Sequence, residues 1–234
     1  MSFFEELISE MNEMSNRVYE TPEFKSLDEV KLTMERARFY AAHAVYFNVN
    51  RRDCWGHVQG SVPWDVKRVI WKHEEDELIS DPRGGADHRS LLFTEAEALG
   101  LSQEEVENFA LNPGVLTAFY AWLYVAKNRH WLTALAASHI LERRNDTTVV
   151  KCATSAMRRK KKFVEELGIK ENLLISTNVH TVADVDHTKM MEHVFEEYVN
   201  SEKSLDLALR GARDSLAIER GYKAALAAGM ERIL

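Results

Sequence analysis

The chain has 234 residues, 45% of them hydrophobic, with 30 Lys and Arg against 37 Asp and Glu for a formal net charge of −7. That length can bury a sizeable core, and the negative balance argues against nucleic acid as the main partner. Cys54 and Cys152 are the only cysteines, too few for a disulfide framework, and no apolar run approaches the ~18 residues of a membrane span.

Only 10 Gly and 4 Pro punctuate the chain, and clean period-two alternation is missing, so an all-α fold is expected. Residues 2–17 read as a short amphipathic helix on Phe3, Phe4, Leu7, Ile8 and Met11. Glu5, Glu6 and Glu10 stand where a signal peptide would be basic, so a cytoplasmic chain is expected. A turn at Thr21-Pro22 precedes a long helix starting near Ser26 or Asp28 and running through Asn50. On it Tyr40, His43 and Tyr46 or Phe47 share a face, which reads as aromatic core or as the lining of a pocket. Gly56 and Gly60 suggest a helix end or bend, and Pro63 suits the first turn of the next helix, 64–79. That helix ends in a polar cluster, His73 to Glu77, and Asp81-Pro82-Arg83-Gly84-Gly85 breaks it. His88 opens a helix that stops at Gly100, and Ser102-x-x-Glu105 is a capping box.

Asn112-Pro113-Gly114 is the next break, followed by an apolar and aromatic stretch, 115–128. The helix 130–146 is apolar on almost every side up to Leu141, and then Glu142 appears. A carboxylate there is costly to bury unless paired or bound to metal; Arg143 and Arg144 are the nearby counter-charges. The run 158-RRKKK-162 reads as a solvated helix face, and Gly168 closes that segment. A helix holding 180-HTVADVDH-187 follows, and a last amphipathic helix runs from about Ser204 to Ala228. With no repeat or linker, residues 1–234 read as one domain of seven or eight helices.

His180, Asp184 and His187 lie at i, i+4 and i+7, one helix face. Two imidazoles and a carboxylate there are the ligand chemistry of non-haem iron; the plainer reading is a polar face with two satisfied histidines. With Glu74, His88 and Glu142, four helical stretches supply three carboxylates and three imidazoles. That is the composition of a carboxylate-bridged di-iron or di-manganese centre in a helical bundle.

The order Glu…His…Glu…H-x-x-x-D-x-x-H resembles the haem-oxygenase-like diiron oxidases and oxygenases. These share a seven-helix fold with thiaminase-II and PQQ-biosynthesis C proteins. The resemblance spans roughly residues 25–200. It is carried by 180-HTVADVDH-187, by 137-ASHILERR-144 around Glu142, and by 88-HRSLLFTEAEALGLSQEEVE-107. It implies two irons per chain held by Glu74, His88, Glu142, His180, Asp184 and His187, with Glu142 also catalytic, and O2 as co-substrate. It further implies oxidation of a small molecule (an amino acid, amine or aliphatic acid) by desaturation, C–C cleavage or N-oxygenation. The partners expected are that substrate and an external electron donor, with a homodimer as the alternative to a monomer. Arg143, Arg144 and Lys151 are candidates for a carboxylate clamp, and Asp186, Glu192, Glu196, Tyr40 and Tyr46 for histidine support. One departure stands out: on a straight helix Glu74 and His88 would sit about 20 Å apart, so the Pro-Gly-Gly break must fold the chain back. Glu74 is the first choice of ligand there and Glu77 the second. The alternative function is a metal-free binding or regulatory module of the same fold.

Overall fold

A computed structural model describes residues 1–233, and its α-helices follow the apolar periodicity. They are α1 (Phe3–Arg17), α2 (Pro22–Glu29), α3 (Met34–Ser61), α4 (Trp64–Leu78), α5 (His88–Ala98) and α6 (Gln103–Glu107). They continue with α7 (Pro113–Asn128), α8 (Trp131–Arg143), α9 (Ser155–Leu167), α10 (Ile175–Tyr198) and α11 (Glu202–Glu231). The all-α class is the one observed, but with more helices than seven or eight among the described residues. One expected long helix is two: α2 ends at Glu29, and α3 starts on the Thr33 cap. Gly56 and Gly60 cause no bend, since α3 runs through both to Ser61. Ser2, Thr33, Asp87, Ser102, Asn112 and Thr154 cap helix starts with side-chain oxygens. The capping box at Ser102 and Glu105 is formed in both directions.

α11 is the spine, lying against α8, α7, α2 and α1. Its approach to α8 rests on Gly211, where a Cβ would lie 2.0 Å from the Thr133 carbonyl oxygen. Any side chain there would push α8 and α11 apart. The larger core holds Trp55, Trp122, Leu135, Ile140, Phe195 and Leu226; a second one under α5, α6 and α9 holds Phe93, Leu99 and Phe163. A third, small cluster of Leu91, Val179 and Ala183 sits beneath the connection between α4 and α5. That connection is a tight reversal. Asp81 N donates to the Ala86 carbonyl (3.0 Å), and Gly85 N donates back to the Asp81 carbonyl (2.7 Å). Gly85 takes φ +72° to close it, a conformation glycine adopts without strain. The chain folds back here, as the spacing of the acidic helix end and His88 demands. Among the described residues no helix is long and apolar enough to cross a membrane.

Candidate metal centre

Four histidines from three helices converge with carboxylates in the middle of the bundle. The apolar stripe of α4, Val66 and Ile70, continues at the same helical spacing into His73 and Glu77, and all four are buried. α5 contributes His88 from its first position, α8 contributes Glu142, and α10 contributes His180, Asp184 and His187. The ligand atoms fall into two sets that share Glu77. His73, Glu77, Glu142 and His187 form one; Glu77, His88 and His180 form the other. Within each set the atoms lie within 4.8 Å of one another. Glu77 Oε1 is 3.0 Å from His88 Nδ1 and 3.7 Å from His187 Nδ1. Glu142 lies 3.9 Å from His187 Nδ1 and 4.0 Å from His73 Nε2.

Each histidine is fixed from outside by an atom that can only accept. His73 Nδ1 donates to Glu74 Oε1 (2.9 Å), His88 Nε2 to Asp81 Oδ2 (2.9 Å), and His187 Nε2 to Asp76 Oδ2 (3.4 Å). His180 Nδ1 donates to the Ser176 carbonyl (2.8 Å). In the neutral ring the opposite nitrogen then carries the lone pair. His73 Nε2, His88 Nδ1 and His187 Nδ1 are buried without a hydrogen-bond partner among the described residues, as are both Asp184 oxygens. Orphaned buried acceptors are costly to a fold. Outer hydrogen bonds with inner lone pairs aimed at one another are how metal-binding histidines are oriented. Two ligands at about 2.1 Å from one ion, at right angles, stand about 3 Å apart. His88 and Glu77 have that separation. The donor set thus fits divalent metal, with Glu77 common to both groups of ligand atoms.

The electrostatics agree with a cation site. Burial alone would depress the His88 imidazole, but Glu77 and Asp81 on its two sides push it up to about 9. Burial likewise works against the Glu142 carboxylate, yet His187 and His73 hold it well below the usual range. Asp184 goes the other way: burial, then neighbouring Glu142, raise it well above the ordinary carboxylate range. Burial and His88 pull His180 down to about 4.

His88, Glu142, His180 and His187 come together as expected, and Asp184 lies between the two α10 histidines, buried though outside both sets. Glu74 does not join them. It faces Arg52 (2.8 Å) and backs His73, while Glu77, three residues on, takes the inner place. His73 is the residue the sequence reading missed; the stripe Val66, Ile70, His73, Glu77 is the signal that marks it. Arg143 and Arg144 do not pair Glu142: they bind Glu192 (2.6 Å) and Glu219 (2.6 Å). Of the supporting residues proposed, Asp186 binds Arg83 and Tyr46 binds the Glu107 carbonyl. The same Arg83 reaches Asp76 (3.1 Å) and Asp81 (3.0 Å), so one guanidinium ties together the carboxylates behind His187 and His88. His43 is a satisfied core histidine, held by the Phe39 carbonyl and the Asn112 amide.

A cavity of about 100 Å³ leads away from the cluster. Glu77, Glu142, His180 and Asp184 form its inner end, and Ala44, Phe47, Leu92 and Leu141 its apolar wall. Tyr40, Ser155, Arg159 and Lys223 line it farther out and also border a second, more apolar chamber with Phe24, Leu32 and Met230. The 158–162 run is therefore only partly a solvated face: Lys161 is exposed, but Arg159 turns inward onto Thr177 (2.7 Å).

A family model described as iron-containing redox enzymes matches residues 38–220. No curated protein matches. Among solved structures, a domain of unknown function with a heme oxygenase-like fold from Shewanella denitrificans aligns at TM-score 0.73 and 13% identity, over 97% of this chain and 91% of that one. A CADD-like protein of unknown function from Nostoc punctiforme aligns at TM-score 0.70 and 16% identity, over 97% of both chains. A TenA homologue from P. horikoshii aligns at TM-score 0.65 and 13% identity, over 96% of this chain and 100% of that one. At such identities the likeness is one of fold.

Proposed function

This chain belongs to the iron-containing redox enzyme family, and from that premise we propose that it is an O2-dependent non-haem diiron oxidase or oxygenase acting on a small molecule. The observation that carries this is the set of inner histidine nitrogens without partners, each ring fixed from behind, around the shared carboxylate Glu77. His73, Glu77, Glu142 and His187 would hold one iron; Glu77, His88 and His180, with Asp184 beside them, the other. Two bound ferrous ions would supply the electrons that reduce O2, after which an external donor restores them. The chain's own groups then do three things. Outer acceptors fix the imidazole rings and keep them aimed. Trp55, tilted against His73 at 4.8 Å between centroids, shields that ring from water, and Leu141 walls the cavity beside Glu142. The cavity wall orients the substrate.

That wall favours an anionic group. Arg144 and Lys223 share the single carboxylate of Glu219, at 2.6 and 3.6 Å. Arg51, also buried on the wall, leaves Nε and one terminal nitrogen without a partner. Arg144 thus remains a candidate for holding a carboxylate, now with Arg159 and Lys223, whereas Arg143 and Lys151 lie off the cavity. This supports an amino acid or aliphatic acid over a plain amine. A metal-free thiaminase-like reading has less support, because neither Cys54 nor Cys152 lines the cavity to act as a nucleophile. The test is anaerobic loading with ferrous iron followed by rapid mixing with O2. A transient visible absorption band and O2 consumption tied to bound iron are expected. Tight iron binding with no O2 uptake, with or without added amino or aliphatic acids, would refute the reading.

A further inference from the structure

The outer face of α4, opposite His73 and Glu77, is the most apolar exposed surface on any of the helices that frame the metal centre. Trp64, Trp71 and Leu78 stand seven residues apart on it, 77%, 64% and 52% exposed, and Ile79 beside them is 73% exposed. A seven-residue repeat keeps side chains along one line of a helix, the seam by which two helices pair. A soluble chain leaves a patch of two tryptophans and two aliphatic residues in water only at a cost, and such patches on monomers mark interaction sites. Nothing else among the described residues covers it.

The charges flanking the line say what does. Arg68 and Glu75 are both exposed and lie on the same flank, again seven apart. The ion pairs formed by α4 use Glu74, Asp76 and Glu77, leaving Arg68 and Glu75 without an ionic partner among the described residues. If a second α4 runs antiparallel about a two-fold axis at Trp71, the two Trp71 rings meet on the axis. Trp64 of each copy then meets Leu78 of the other. In that arrangement, residues equally placed on one flank come opposite each other, so Arg68 faces the second copy's Glu75, twice by symmetry. A parallel two-fold pairing would put the two copies of this flank on opposite sides of the seam, so Arg68 and Glu75 would not meet.

We propose that the outer face of α4 is the self-association surface of this chain, pairing two copies antiparallel through Trp64, Trp71 and Leu78 with reciprocal Arg68–Glu75 contacts. Because α4 also supplies His73 and Glu77 from its other side, the dimer stiffens the helix that presents them.

Sedimentation equilibrium of the full chain tests this. A dimer mass is expected for the wild type at micromolar concentration. Trp71→Lys places two ammonium groups on the axis and removes an aromatic anchor from each copy. It should weaken association by on the order of 1,000-fold and give a monomer with unchanged far-UV circular dichroism. Arg68→Glu and Glu75→Arg should each weaken the dimer, and the double exchange should restore it. That recovery is one a merely destabilised fold cannot produce. A monomeric wild type at 100-fold higher concentration, or a dimer indifferent to Trp71→Lys, would overturn the proposal. So would a double charge exchange no tighter than the single ones.

Discussion

Exchanging Glu77 for Gln separates the two acids of α4 that local sequence could not rank. Glu77 Oε1 is 3.0 Å from His88 and 3.7 Å from His187, and its other oxygen is 3.0 Å from Arg52. It is the one residue common to both ligand sets. Glu77→Gln therefore takes an anionic ligand from both metals at once. Glu74→Gln weakens only the outer support of His73 and one of the two contacts to Arg52. Loss of an outer partner costs about 10–100-fold in metal affinity, so Glu74→Gln should fall in that range and Glu77→Gln well beyond it. The fold should survive both. Arg52 keeps one carboxylate in each variant, so the cost is about 1–3 kcal/mol for a weakened charged hydrogen bond. It does not reach the about 3–5 kcal/mol of an abandoned buried charge. Anaerobic ferrous titration followed by elemental analysis, with thermal melts of the metal-free proteins, measures both numbers. If Glu74→Gln lost more iron than Glu77→Gln, the assignment of the inner carboxylate would be wrong.

Three further outcomes follow from the same geometry. Arg83→Met removes the guanidinium joining the carboxylates behind His187 and His88, and should lower the affinity for both irons about 10–100-fold with little change in melting temperature. Unchanged titrations would show the network to be idle. Glu142→Gln replaces a buried charge by a group of the same shape, so it should fold normally yet lose iron and all O2 uptake; full occupancy would remove Glu142 from the site. His139 is fully buried, neither nitrogen has a partner among the described residues, and burial, then Arg143, hold its imidazolium well below the usual range. Its folded value lies below the unfolded one, so stability is full above pH ~6.5 and falls by up to about 1.4 kcal/mol per unit as pH drops. His139→Leu should be more stable by about 1–3 kcal/mol at neutral pH and less acid-sensitive between pH 6.5 and 5; equal acid sensitivity by denaturant titration would contradict this.

The helical class was legible because apolar spacing is a local property repeated along the whole chain. The split between α2 and α3 was not, because distant groups stabilise it. Lys162 of α9 donates to the carbonyls of Asp28 and Val30 (2.6 Å each), and Glu166 accepts from Leu32 N (2.6 Å). The residues that end one helix and start the next lie about 130 positions from those that satisfy their backbone. The same contacts explain why a basic run read as solvated has inward members. On α10 the site could be read directly, since His180, Asp184 and His187 share one helix face. On α4 the choice depends on which face turns toward α10, and two buried acids three residues apart look alike without that knowledge. The supporting carboxylates Asp76 and Asp81 were equally hidden. They act through a reversal whose shape Asp81, Gly85 and Ala86 make only in three dimensions.

Iron K-edge X-ray absorption on the anaerobically loaded, diferrous protein tests the central claim most directly. Two ions bridged by Glu77 predict two irons per chain, a first shell of nitrogen and oxygen only, and an iron–iron vector at about 3.5–4 Å. A stoichiometry of one with no metal–metal scattering, at full occupancy, would contradict a diiron centre.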